Sequence, residues 1–325
     1  MPSKKKPRDG SLGYYPRTRA IRIYPALTTY PKEDKPKVLG FAGYKTAMLH
    51  AMVVDGRKTS MTAGQEISVP ITVLECPPIK AVGLRAYQNT VHGLNVFSEA
   101  LAKDLPKELE RKINLGDFKT EEKLGQIEKN LDKISKIRLI VCTQPKLTGI
   151  KKKTPEIFEL EVGGNVIKEV FDFAKNMLGK DISIKDVTKE GELVDVKAVT
   201  KGKGMAGPVK RFGIRVQNRK AGKKRRHVGS LGQERPGKVR HTVAMAGQLG
   251  FFTRTEVNKR VLKIGEKGDE ITPKQGFKNY GKVKESYLLL EGSVPGGKKR
   301  LILFRPAIRP SKLKFSLPEI KEIVK

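Results

Sequence analysis

From residue 197 to 226 the chain carries twelve lysines and arginines and not one acid. A stretch of this composition cannot bury the apolar area that offsets the conformational entropy lost on folding. Strand-forming sequence nevertheless flanks it on both sides. It therefore reads as an extended loop set into a folded protein, with a shape supplied by a partner. Over the wider window 201–260, 17 basic residues face only Glu234 and Glu256. Gly202, Gly204, Gly207, Gly213, Gly222, Gly229, Gly232 and Gly237 are expected to take positive φ there and to let backbone come close to phosphates.

Residues 202–207, GKGMAG, fit the G-x-G-x-x-G pattern letter for letter. A dinucleotide site also needs a helix opening at the third glycine and an acid about twenty residues on. Pro208 follows at once, no apolar 3.6-residue period continues, and no acid lies between Asp195 and Glu234. A nucleotide cofactor is not expected.

The whole chain sets 67 Lys and Arg against 34 Asp and Glu, a formal net charge of +33. Such a surplus repels itself and calls for a polyanion, with nucleic acid the default. No apolar run approaches the roughly 18 residues that span a bilayer, and the N-terminus has no apolar signal segment. The chain reads as soluble and intracellular, with no membrane partner. Cys76 and Cys142 lie in apolar runs and read as small buried hydrophobes, not as zinc ligands or a disulfide. His50, His92, His227 and His241 share no metal-ligand spacing. No nucleophile, base and orienting acid come together, so neither catalysis nor a small-molecule substrate is expected.

Along the chain, the first 19 residues hold six basic residues and one acid and read as an extended arm. From about Tyr44, "TAMLHAMVVDG", "QEISVPITVLEC" and "IKAVGLRAY" read as successive strands. Residues 104–136 change texture: Leu124, Ile127, Leu131 and Ile134 recur at helical spacing, with Thr120 expected as the N-cap. Strand-like "IRLIVC" and "EIFELEV" follow. A second helix is then expected, with a stripe of Val166, Val170 and Phe173 and with Gly179 as its C-cap. Beyond residue 256 short strands return.

The stretches "GSLGYYPRTRA", "DVKAVTKGKGMAGPVKRFG", "GSLGQERPGKVRHTVAMAGQLG", "TEVNKRVLKIG" and "LLLEGSVPGGKKRLILFRPAIR" occur in this order from the arm nearly to the C-terminus. Together they resemble the universal large-subunit ribosomal protein family number three in its archaeal and eukaryotic form. The resemblance implies a β-rich α+β fold: a six-stranded translation-factor-like β-barrel with an inserted α+β region and long non-globular basic extensions. The expected divisions are an N-terminal basic arm (1–43), the first part of the barrel body (44–103), the inserted α+β region (104–196), a central basic glycine-rich finger (197–255), and the second part of the body with the C-terminus (256–325). It further implies a structural, non-catalytic protein of the cytoplasmic ribosome. Its partners would be large-subunit rRNA and neighbouring large-subunit proteins. It would bind near the 3′ end of that rRNA, nucleate subunit assembly and extend its finger toward the peptidyl transferase centre.

The residues expected to meet rRNA are Arg17 and Arg19 in the arm. In the finger they are Lys201, Lys203, Lys210, Arg211, Arg215, Arg219, Lys223, Lys224, Arg225, Arg226, His227, Arg235, Lys238, Arg240 and Gln248. Arginines offer fork geometry and base stacking, and lysines act as point charges. The resemblance places Gln233, Glu234 and Arg235 at the finger tip, with Glu234 where archaeal and eukaryotic members usually have a tryptophan, and the chain contains no Trp. "GSLGQ" is closer to the bacterial pattern, in which the glutamine can be N-methylated, so Gln233 is a candidate for methylation.

Blander readings stand beside these. "MPSKKKPRD" reads equally as a solvated tail. Phe212, Phe251 and Phe252 read as core before base-stacking platforms. Met205, Met245 and "AMAGQLG" suit either close backbone approach to RNA or a plain turn. His227 and His241 read as neutral hydrogen-bonding residues, not proton carriers. Two other classes compete: a DNA-compacting protein, since phosphate neutralisation alone does not tell DNA from RNA, and an RNA-modifying enzyme, for which the sequence offers no convergent titratable groups.

Overall fold

A computed structural model describes residues 8–57, 60–114, 116, 118–235, 237–311 and 319–324. The first seven residues of the arm lie outside the described residues. By compactness the chain divides in two: residues up to Ile23 with Val199–Arg254, and Tyr24–Ala198 with the chain from Thr255 onward.

The second and larger unit, the body, opens with β1 (Lys37–Val38), β2 (Phe41–Val54), β3 (Glu66–Glu75), β4 (Ile79–Thr90) and β5 (Gly93–Leu101). It continues through α1 (Thr120–Lys129), β6 (Lys136–Cys142), β7 (Ile157–Gly163), α2 (Ile167–Met177), β8 (Asp181–Ile182), α3 (Ile184–Val187) and β9 (Leu193–Val199). Between β9 and the long β12 (Thr253–Gly265) the chain makes β10 (Gly202–Ala206), α4 (Pro208–Phe212) and β11 (Gly247–Gly250). It closes with β13 (Tyr287–Glu291), β14 (Leu301–Pro306) and β15 (Ile320–Val324). The protein is β-rich with few helices, an α+β fold.

One sheet runs β14-β9-β12-β13-β3-β2-β15, and β14 also pairs β2 through Leu301–Tyr44 to Phe304–Phe41. The other runs β1-β7-β6-β4-β5, with β8 on β4. Strand β4, read in sequence with the first part of the body, thus pairs with β6, and β5 pairs with β4 at the end of the same sheet. The change of sheet falls between Glu75 and Ile79, earlier than residue 104. Periodicity could not reveal this, because a continuous apolar strand such as β4 looks the same in either sheet.

One apolar cluster joins the two sheets, with Phe41, Tyr44, Ile71, Leu74, Leu84, Leu139, Leu289 and Phe304 at its centre, each at most 2% exposed. Strand β3 shows the pattern in miniature: Glu66 to Pro70 alternate with solvent, while Ile71 to Glu75 are buried on both faces.

Both helices are present with corrected ends: α1 stops at Lys129, so of the expected stripe Leu131 falls in a 3-10 turn and Ile134 in extended chain. Thr120 does not cap α1: Lys119 holds that position without a side-chain bond, and the Thr120 hydroxyl donates to the Leu101 and Phe118 carbonyls. A threonine beside a packed strand end finds acceptors there before it can turn back to its own helix. In α2 the buried face is Val170, Phe171 and Ala174, whereas Val166 is the exposed N-cap residue. Leu178 is the C-cap, and Gly179, one residue beyond, takes φ +75°.

Cys76 and Cys142 are free and buried. Burial holds the Cys76 thiol well above its ordinary pKa and pushes Cys142 up to about 12. Since only the thiolate is nucleophilic, neither is expected to react with a maleimide near pH 8 in the folded protein. Both should label on denaturation, which mass spectrometry checks.

Candidate nucleic-acid interface

The smaller unit is built on a hairpin. Strands β10 and β11 pair antiparallel, Met205 with Gln248 and Ala206 with Gly247. At Gly250, φ is +72°, and an added Cβ would lie 2.1 Å from the Lys201 carbonyl oxygen, so only glycine fits. Gly207 then caps α4, with Pro208 in its first turn. This corrects the expectation that no helix follows the third glycine of GKGMAG: proline lacks the N–H that a first turn leaves unpaired anyway and presets φ for it. The helix lasts five residues before Gly213, at φ +73°, ends it in the left-handed conformation. Of the eight glycines expected to have positive φ, Gly204, Gly213, Gly222 and Gly232 do, while Gly202, Gly207, Gly229 and Gly237 do not.

The base of the loop, expected to be shapeless, is ordered because the arm brings it apolar area. Tyr15 stacks on Phe212 at 6.3 Å between ring centroids, and His241 meets Tyr15 edge-on at 6.1 Å. The Arg17 guanidinium lies 4.7 Å from the Tyr15 ring centre and 4.5 Å from that of Phe212. Arg254 lies over Tyr14 at 4.7 Å and Phe252 at 5.1 Å. Phe212 and Phe252 are buried, as the core reading has it.

Arg211 ties the two legs of the loop. Its Nε donates to the Gln248 carbonyl at 2.9 Å and its Nη1 to the Met245 carbonyl at 3.0 Å. Burial, and then the neighbouring Arg17 charge, lowers the Arg211 pKa from its ordinary value. Arg19 donates to Gln248 Oε1 at 3.3 Å, and Gln248 Nε2 reaches the Leu249 and Gly250 carbonyls. Arg17, Arg19, Arg211 and Gln248 therefore come together at the base, engaged with protein groups.

The other expected RNA-contacting residues are exposed: Lys201, Lys203, Lys210, Arg215, Arg219, Lys223, Lys224, Arg225, Arg226, His227, Arg235, Lys238 and Arg240. So are Gln233 and Glu234 at the expected tip. Between α4 and β11 the described residues form turns and irregular segments, among them a brace in which the Gln217 N–H donates to the Arg225 carbonyl at 2.9 Å. Among the described residues, no lysine or arginine between 201 and 240 is ion-paired to a carboxylate. Sequence reasoning missed Arg8, which donates to the Thr242 carbonyl, and Arg254. The Tyr14–Tyr15 and Phe251–Phe252 doublets were the signals that a cation would find ring faces there.

Phe212→Ala should loosen the arm without unfolding the body. Losing a buried phenylalanine costs about 3–5 kcal/mol locally. Amides of residues 9–20 should then lose at least about two decades of hydrogen-exchange protection.

The arrangement defines a class: a β-rich α+β protein carrying an acid-poor, cation-dense extension whose basic side chains beyond its base are exposed. The family described as Ribosomal protein L3 matches residues 1–324, and the chain belongs to that family. It is 48% identical over 313 residues to the large ribosomal subunit protein uL3 of Methanopyrus kandleri, covering 94% of this chain and 86% of that one. To the uL3 of Methanocaldococcus jannaschii it is 47% identical over 321 residues, 98% and 96% of the two chains. To that of Methanococcus vannielii it is 46% identical over 327 residues, 99% and 97%. The chain is thus a structural ribosomal protein and not an enzyme.

Proposed function

We propose that the chain is a structural constituent of the large subunit of the cytoplasmic ribosome, binding its rRNA near the 3′ end and nucleating assembly. The body docks on rRNA and on neighbouring proteins, and the extension runs toward the peptidyl transferase centre. The name shared by the relatives, large ribosomal subunit protein, supports the particle. The observation that carries the RNA contact is the set of exposed cations between residues 201 and 240, unpaired among the described residues.

Phosphates supply the anionic partners that these side chains lack among the described residues. Arg215, Arg219, Arg225 and Arg226 offer forks and stacking planes, and the lysines offer point charges. Arg17, Arg19, Arg211 and Gln248 act chiefly by holding the base in shape. At the tip, Gln233 and Arg235 make the contacts that an aromatic residue would otherwise make by stacking, and Gln233 is the candidate for methylation. Peptide-bond formation is left to RNA.

The pairings β2-β3-β13-β12-β9-β14 and back to β2 read as the six-stranded translation-factor-like barrel, with the second sheet as the inserted α+β region. Sedimentation of cell extract at moderate and at high salt tests the assignment. The chain should travel with large subunits in both. Recovery with chromosomal DNA, or at the top of the gradient, would overturn it.

A further inference from the structure

Residues 86–98, from Ala86 through the turn at Val91–His92 to Ser98, contain no Lys, Arg, Asp or Glu, in a chain that is 31% charged. They form the end of the β4–β5 hairpin. The pairing of β4 with β6 stops at Tyr87–Lys136, while β4 and β5 continue to pair as far as Thr90–Gly93. The hairpin therefore projects from its sheet as a two-stranded ribbon, and β5 is the last strand of that sheet. Val91, Leu94 and Val96 are 100%, 44% and 51% exposed. Isolated ribbons are marginal in water, and exposed edges are normally blunted with charge. This ribbon carries no charge from Ala86 to Ser98.

The face beside it is neutral. Cross-strand pairing aligns Glu99, Arg85, Arg138 and Glu161 in one row and Val96, Tyr87 and Lys136 in the next, with Leu94 opposite Asn89 beyond. The charges of this face cancel once Glu159 is counted with the rows. Arg85 pairs with Glu99 at 2.6 Å and also with Glu159, while Arg138 reaches Glu159 at 3.3 Å and Glu161 at 3.4 Å. Lys136 pairs with Glu161 at 2.7 Å, and the Tyr87 hydroxyl donates to Glu159 at 2.6 Å. Three bases meet three acids, against +33 for the whole chain. A phosphate could bind here only by breaking these pairs.

We propose that this ribbon and the neutral face beside it seat a second protein, whose uncharged extended segment adds as a strand along the outer edge of β5, and that RNA does not enter here. Backbone N–H and C=O groups of the edge supply the affinity, and the Leu94 and Val96 side chains supply specificity. An uncharged seat on a basic protein selects a partner by apolar area, since a polyanion is drawn to the charge it lacks. The inference rests on the reading that the chain works packed among other macromolecules.

The test uses the full-length chain with photoreactive benzoylphenylalanine in place of Leu94, made in cells that assemble it. Extracts are sedimented, and every fraction holding the chain is irradiated. The expected result is an RNase-resistant adduct with one other protein, mapped by mass spectrometry to a segment free of charged residues. Adding Val96→Lys should cut its yield at least about tenfold. An adduct removed by RNase, an adduct with a second copy of this chain, a spread over many proteins, no adduct, or indifference to Val96→Lys would each overturn the proposal. If the substituted chain fails to fold, the probe is placed at Val91 and judged by the same outcomes. The fraction in which the chain travels scores the ribosomal reading separately from the adduct.

Discussion

A chain shortened by residues 214–246, closed with a short glycine linker, should fold and melt as the full-length protein does, yet bind large-subunit rRNA with a much weaker salt dependence. The excised piece carries ten lysines and arginines. At about −0.7 in the slope of log affinity against log salt per neutralised phosphate, ten contacts account for about −7. That is roughly four decades of affinity between about 50 and 200 mM salt. The body lies wholly outside the cut, and at the base of the loop Phe212, Gly213 and the β10–β11 pairing are retained. Titrating rRNA fragments across a salt series gives the slope, and thermal melting verifies the fold. Cells that depend on the shortened chain should accumulate incomplete large subunits. An unchanged slope would place the RNA-neutralising charges elsewhere in the chain.

The second large effect lies in the body. Glu75 is fully buried near the end of β3, where it accepts from the Tyr280 hydroxyl and from the backbone N–H groups of Lys284, at 2.7 Å, and Glu285, at 3.2 Å. Burial, and then the Glu75 charge, raises the Tyr280 pKa far above its ordinary value, so the phenol stays a donor. One carboxylate thus fixes the segment leading into β13. Glu75→Ala strands the buried Tyr280 hydroxyl and two backbone N–H donors and is expected to cost about 3–5 kcal/mol. Glu75→Gln keeps an acceptor oxygen and should cost about half as much. Urea denaturation midpoints measure both. A Glu75→Ala loss below about 1 kcal/mol would show that the segment is held by other contacts.

How much of this could be read beforehand depended on what each signal measures. Apolar runs such as "ITVLEC" and "LILF" announce buried strands because their environment is apolar whichever neighbour they choose. That indifference is why β4 and β5 read together with β2 and β3, although they pair in the sheet of β6 and β7. Thr120 and Pro208 failed for a different reason. Capping is a competition among acceptors, and at Thr120 a neighbouring strand won; at Pro208 a breaker inside helices served as a starter at the first turn. Charge density was legible in full, since no fold hides ten exposed cations. The engagement of Arg17, Arg19, Arg211 and Gln248 was not, because it depends on arm residues roughly two hundred positions away meeting the base of the loop.

Arg211 spans from the end of α4 to the carbonyls of Met245 and Gln248, fastening the outgoing and returning legs beside the hairpin. Everything beyond that fastening can grow, shrink or change its letters without parting the two legs. Reach therefore becomes a quantity that natural variation can tune on its own, in the way a tether is let out from a fixed cleat. Lineages that differ in loop length should still keep a fork-shaped donor at this one place.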